Sequence, residues 1–346
     1  MNLLIIIIGL ATIFVLSIAM TGLIRKYALS RAMIDIPGER SSHAIPTPRG
    51  GGAAIIILVL MSIVFTYVTG MVSVEIMLAL GVGTLIVAII GWVDDHKHVP
   101  AYWRAVIYTL AAVWAMYWLE SAYSTRIDED MYSFGLFNSI FIIVGIVWLT
   151  NLYNFMDGID ALATIQAICT SLMSGVLFWL EGQQAMTLFC SVILVSSCGF
   201  LFWNWPPAKI FMGDVGSCAL GFCFGILAVI GEIGSSVPIA VWFILLSVFI
   251  CDATFTLLIR VVRGEKWYKA HKSHAYQKLV LCGMSHKSLS IIVLAINVLV
   301  LWPLAWVIYQ EKTLTLYIVS FVVVLMFTLW GIIQINYYRT AGLKIN

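Results

Sequence analysis

The stretch GWVDDHKHVP (91–100) places two adjacent carboxylates, Asp94 and Asp95, directly after a long apolar run. At the C-terminal end of a helix the macrodipole is already negative, and neighbouring acids repel one another, so the pair requires a cationic partner. Successive helical residues point about 100° apart, so the two carboxylates should serve two partners rather than one.

Further polar groups recur along the chain. In NLYNFMDGIDALA (151–163), a helical start would set Asn151, Asn154 and Asp157 three apart on one surface, with Asp160 following Gly158. The competing reading is a polar turn with Asx capping. In NWPPAKIFMGDVGSCALGF (204–222), Pro206 and Pro207 end one helix and residues 213–217 open another. There Asp214 suits either an N-cap, worth about 1 kcal/mol, or a ligand. With Lys209 nearby and glycines on both sides, the stretch also admits a phosphate or a hydrated metal. In RVVRGEKWYKAHKSHAYQKL (260–279), His271 and His274 are interleaved with Lys269, Lys272 and Lys278. A paired-histidine zinc site lacks a third ligand there, and the lysines repel a cation. A grip on a phosphate or diphosphate fits better, against the plainer reading of an anchor on anionic lipid. The loop RAMIDIPGERSSHAIPTPRGGG (31–52) joins Arg40, His43 and Arg49 to a glycine triplet, whose turn could present backbone N–H groups to phosphate, although it is no Walker sequence. Carboxylate and amide oxygens for Mg²⁺, beside bases for phosphate, are the joint requirement of phosphoryl transfer on a membrane-embedded substrate.

The elements that must position these groups are membrane helices. The chain has 346 residues, of which 62% are hydrophobic and 10% charged, and its mean hydropathy is +1.02. Soluble domains carry about a quarter charged residues. Apolar runs fall near 2–24, 51–69, 74–93, 103–119, 137–153, 161–180, 185–203, 216–233, 238–260, 288–309 and 313–336, each near the length needed for a hydrocarbon core of about 30 Å. They predict an all-α polytopic protein with eleven transmembrane helices in a single domain, 1–346. The first run lacks a basic leader and is followed by Arg25 and Lys26, so it reads as an uncleaved anchor.

Of the 19 Lys and Arg, all but Arg126 and Lys312 fall on one side of these spans. The positive-inside rule then sets the N-terminus outside, the C-terminus in the cytoplasm, and loops 25–50, 94–104, 153–161, 204–215 and 260–287 on the cytoplasmic face. All six histidines, with Asp35, Asp94, Asp95, Asp157, Asp160 and Asp214, share that face. The outer acids, such as Glu120, Glu181 and Glu311, lack histidine company and read as solvated charges. The seven cysteines form no CxxC pair and imply no disulfide framework.

The ordered series DIPGERSSHAIPTPRGGG, the DD pair, NLYNFMDGIDALA, FMGDVGS and HKSH, from about residue 35 to 280, resembles the polyprenyl-phosphate N-acetylhexosamine-1-phosphate transferase family. That resemblance implies transfer of a sugar 1-phosphate from a UDP-sugar to undecaprenyl phosphate, releasing UMP, with Mg²⁺ or Mn²⁺ in its place. It assigns Asp94 and Asp95 to the lipid phosphate and its attack; apart from the resemblance, Asp95 is expected to help hold the metal or a basic partner. It makes Asp214 the metal ligand, sets Phe211 against the uracil ring, and places Asn154, Asp157 and Asp160 around metal and nucleotide. His271 and His274 then face the donor diphosphate and sugar, with Arg40 and His43 as further substrate contacts. Asp252 matches an acidic position in the ninth helix of some members, and stands out in its own right as an acid about 12 Å along a helix from Arg260 within an apolar run. HKSH in place of an uninterrupted histidine triplet departs from the muramoyl-pentapeptide branch. It looks more like the branch initiating O-antigen, enterobacterial common antigen or capsule chains, with UDP-GlcNAc, UDP-FucNAc or UDP-QuiNAc as donor.

The implied site is the bacterial inner membrane, with an active site on its cytoplasmic side. No nucleic-acid partner is expected. Small residues such as Gly81 and Gly83 would suit helix packing within a subunit or in a homodimer. The competing class is an ion-coupled transporter or lipid-linked glycan flippase, which would place its coupling charges near the bilayer midplane. Here only Asp252 lies clearly within a span.

Overall fold

A chain in hydrocarbon must satisfy its own backbone, so apolar runs close into helices. The computed structural model describes residues 3–37, 45–124, 135–265 and 271–340. The protein is an all-α polytopic membrane protein. Nine helices among the described residues are long and apolar enough to cross a membrane, and a tenth span is the pair Ile239–Leu245 and Ser247–Val262, bent by 78°. The eleventh expected span is Ala53–Val68, a helix of 16 residues, which at 1.5 Å per residue covers about 24 Å and falls short of a full crossing. Its run was expected to begin at Gly51, but Gly51 and Gly52 are used in a turn.

The core is the helix Asp214–Gly234. Its most apolar stretch is 89% buried inside the protein, against 11% for the peripheral helix Leu4–Ser30. It packs on Gly83–His96 and Gly135–Phe155. Glycine makes the closest approach possible: a Cβ on Gly52 would fall 2.5 Å from the Cα of Gly216. Bends within the bilayer need internal partners. At the break after Leu245, the Gln166 side-chain amide donates to the Leu245 carbonyl at 2.7 Å and pairs with Asn297.

One two-stranded ladder lies at the membrane face, with Ile34–Asp35 antiparallel to Thr47–Pro48. It is tied to the segment before the core helix by Phe211 N–H to the Pro48 carbonyl at 2.8 Å. Gly51 and Gly52 N–H return to the carbonyls of Phe211 and Met212, each at 2.9 Å. Two of the triplet's three amides are therefore not held out for phosphate. Gly51 and Gly52 spend theirs on this seam, and their missing side chains allow it to close.

Candidate active site

The C-terminus of Val74–His96 and the N-terminus of Asp214–Gly234 meet at this face, and Asp95 joins them. Its Oδ1 accepts the Asp214 N–H at 3.0 Å and its Oδ2 the Val215 N–H at 3.1 Å. The residue before the helix, Gly213, has φ of +76° and no side chain to cap it, so the cap comes from another helix. An anion on a helix N-terminus is favourable, and this resolves half of the cost of the acid pair.

The other half is met by two arginines. Arg49 donates from Nε to the Asp95 carbonyl at 3.0 Å and from a terminal nitrogen to the Asp94 carbonyl at 3.4 Å, placing a cation on the negative end of that helix. Arg104, one turn into Ala101–Ser124, bridges Asp94 at 2.7 Å and Asp214 at 2.5 Å. Asp94 also accepts the Val99 N–H at 2.5 Å. The two carboxylates thus do serve different partners, and Asp214 is an ion-pair partner rather than its own helix's cap.

The turn between Gly135–Phe155 and Leu162–Leu180 is held from two sides. Asn204, at the end of Gln184–Asn204, accepts the Ala161 N–H at 3.0 Å and the Thr164 hydroxyl at 2.8 Å, fixing Ala161 in the left-handed region at φ of +64°. Asp160 accepts the Ala208 N–H at 3.0 Å and lies 3.4 Å from His286 Nδ1. Gly158 is backed by the Tyr276 ring, whose hydroxyl donates to the Phe155 carbonyl at 3.0 Å. Asn154 donates to the Ser217 hydroxyl at 3.0 Å on the core helix.

Together these pieces enclose a cavity of about 240 Å³. Carboxylates from Asp35, Asp95, Asp157, Asp160 and Asp214 line it with amides from Asn154, Asn204 and Gln277, the Phe211 ring, Arg49 and His286. Burial and the charges of Asp214 and Asp95 push the Asp157 pKa well above the carboxylate range. Such crowding of hard oxygens suits Mg²⁺, which takes one or two carboxylates and completes its shell with water and substrate phosphate. Among the described residues no three His, Cys, Asp or Glu side chains are already drawn together as a cage.

Asp95, Asn154, Asp157, Asp160, Phe211 and Asp214 are brought together as expected from the sequence. Asp94 stands behind the cavity wall, holding Arg104. Asn151 is not on the shared surface; its side chain turns back to the Val147 carbonyl at 2.8 Å. His271 and His274 do not line the cavity. His274 is buried at the start of Ala275–Leu281, with Nδ1 3.7 Å from Asp252, and its ring centroid lies 4.9 Å from that of His271. Burial, His274 and Arg260 lower the His271 pKa to about 4, which leaves that ring neutral. Asp252 accepts the Ala275 and Tyr276 N–H groups at 2.8 and 3.2 Å, so it caps that short helix. Arg40 and His43 lie outside the described residues. Arg104, Gln277, His286 and Asn204 were not expected at the site. Only Arg104 had a signal, since a paired acid needs a cation and it is the one arginine in 94–104.

Fold and site define a polytopic membrane protein with an acid-lined, amide-rich chamber among its helix ends. Residues 77–232 match the family described as Glycosyl transferase family 4. The chain is 28% identical over 334 residues, covering 92% of this chain and 88% of the relative, to a probable undecaprenyl-phosphate N-acetylglucosaminyl 1-phosphate transferase of Bacillus subtilis. It is 29% identical over 307 residues, covering 77% and 73%, to a decaprenyl-phosphate N-acetylglucosaminephosphotransferase of Mycolicibacterium smegmatis. The chain is thus similar over most of its length to polyprenyl-phosphate N-acetylglucosamine-phosphate transferases, and over residues 77–232 to the glycosyl transferase family 4 model.

Proposed function

We propose that the protein transfers an N-acetylhexosamine 1-phosphate from a UDP-sugar to undecaprenyl phosphate, and so begins a lipid-linked cell-envelope glycan. The observation that carries this reading is the cavity's charge. Five acids crowd there around a single lining arginine, Arg49, so closely that Asp214 is paired with Arg104 and the Asp157 pKa is raised, and a diphosphate would enter such a chamber only with a divalent cation between them. Asp157 and Asp214, with Asn154 beside them, are the residues that would hold Mg²⁺ or Mn²⁺. Bound there, the ion would neutralise charge on the diphosphate oxygens.

A lipid phosphate has a second pKa near 6, so its oxygen is already largely ionised at neutral pH and needs no strong base. That oxygen attacks the β-phosphorus of the donor, and the bond from that phosphorus to the oxygen bridging it to UMP breaks. UMP leaves with the electron pair, and no net proton is required. The chain's part is positioning. Phe211 offers a ring to the uracil, Gln277 offers its side-chain N–H groups to the sugar, and Arg49 offers charge to a phosphate, while Asn204, engaged with Ala161, Thr164 and Ile210, shapes the wall. Asp95 keeps the two helix ends in register, and Asp94 orients Arg104 rather than meeting the lipid. The positive-inside asymmetry supports a cytoplasmic chamber in the inner membrane, and the relatives' names favour UDP-GlcNAc as donor. Asp252, engaged as a helix cap, is not disposed as a transporter's coupling charge would be.

The test is UMP release from a panel of UDP-N-acetyl sugars by the purified protein. Release should require both undecaprenyl phosphate and Mg²⁺ and should stop on chelation; release without the lipid acceptor, or with none of the donors, would overturn the reading.

A further inference from the structure

A second cavity, of about 180 Å³, lies apart from the acid-lined one. Residues from the Ser247–Val262, Ala275–Leu281 and Thr315–Thr340 helices line it. Its charged residues are Arg260, Arg263, Lys278 and Glu265. Glu265 pairs with Arg260 at 2.7 Å. Arg263 donates to the Tyr338 hydroxyl at 3.2 Å. Lys278 donates to Gln334 Oε1 and lies 4.8 and 4.3 Å from the Tyr337 and Tyr338 ring centroids.

Lys278 is only 5% exposed, and no carboxylate among the described residues lies within ion-pair distance of it or of Arg263. The neighbouring stretches 266–270 and 341–346 contain no Asp or Glu. Burial holds its pKa below the ordinary lysine value against the opposing pull of Tyr338 and Glu265, so an anion brought into the cavity would favour its charged form. The other walls are apolar, from Ile259, Trp330 and Ile335. Val262, on the same helix as Ile259 and next to Arg263, is an apolar side chain left 86% exposed. Cations at the head of a cavity and hydrocarbon along its side match an amphiphilic anion better than a fully hydrated one.

We propose that this cavity binds the phosphate of an anionic lipid headgroup, with Arg263 and Lys278 as its charge-assisted donors. The lipid would brace the segment carrying His271 and His274, because Arg260 and Gln334 from the same walls bond Ser273 at 3.1 and 3.2 Å.

The experiment uses the full-length protein, titrated with phosphatidylglycerol or phosphatidylcholine and followed by native mass spectrometry. In parallel, Tm is measured in phosphatidylcholine nanodiscs with added phosphatidylglycerol or with inorganic phosphate. Wild type should retain phosphatidylglycerol preferentially and gain Tm from it. Arg263→Gln and Lys278→Gln should each weaken retention about tenfold, the loss of one charge-assisted hydrogen bond. Lys278→Arg, which keeps the charge, reports whether the fold survives substitution there. Lys287→Gln, an exposed cation outside the cavity, should change nothing. Equal retention by the Gln variants, or an equal loss in Lys287→Gln, overturns the site. Stabilisation by inorganic phosphate alone, without retained phosphatidylglycerol, overturns the lipid as its occupant.

Discussion

Arg104 holds Asp94 and Asp214 at once, and either carboxylate alone would be a poor neighbour for the other. Arg104→Gln should lower kcat for UMP release by about 10- to 100-fold, the usual scale for removing a residue that orients a ligand. Arg104→Lys, which keeps the charge but loses the planar fork, should fall between that variant and wild type. Asp157 carries a pKa raised by burial and by Asp214 and Asp95. Its folded form binds a proton that the unfolded chain has already lost, so its contribution to stability falls as pH rises above the ordinary carboxylate value. Mg²⁺ should therefore raise Tm more at neutral and alkaline pH than in acid, and Asp157→Asn should shrink that pH-dependent part. His271 has the opposite sign. With its pKa lowered from 6.5 to about 4, the unfolded chain takes up the proton first, and stability is lost as pH falls through that window. A thermal-unfolding series in acid should show a shallower loss for His271→Asn than for wild type.

Helices here are placed by how closely their backbones can approach. The contact of Gly52 with Gly216 sets the short Ala53–Val68 helix against the core helix and carries the Gly51–Phe211 seam beside it. Gly52→Val forces side-chain atoms onto the Gly216 backbone and should cost about 1–3 kcal/mol, read as a lower Tm in detergent. The Asp252 cap works in the same way on Ala275–Leu281. Removing its charge with Asp252→Asn should loosen Tyr276 and, through its hydroxyl bond to Phe155, the Asp157 turn. The expected readout is a rise in KM for the donor larger than the fall in kcat.

Sidedness is a property of the entire chain. Cys282 is exposed, whereas the remaining cysteines are buried or half-buried. A membrane-impermeant maleimide should label it in inverted vesicles and not in intact cells, if the basic face is cytoplasmic. Most of the helical runs, their order and the gathering of polar motifs at helix ends are legible in the sequence, because a span's length and the polarity of its flanks are local properties. The motif acids at 95, 157, 160 and 214 do meet. What could not be read was direction. In a membrane helix every face is apolar, so no periodicity tells which way Asn151 or His274 turns. Nor does spacing reveal that Asp95 caps a helix over a hundred residues on, or that His286 and Gln277 reach the chamber. The broken span after Leu245 was equally silent, since its freed carbonyl is met by Gln166 from another helix.

The cap that Asp95 makes on the Asp214–Gly234 helix has a consequence for how this protein can drift under mutation. One carboxylate lines the chamber and also pins the helix that presents the second. A lesion at that position would injure folding and turnover in a single step, and restoring the acid's charge elsewhere could not repair both. Position 95 therefore leaves a lineage no half-way variant from which to recover.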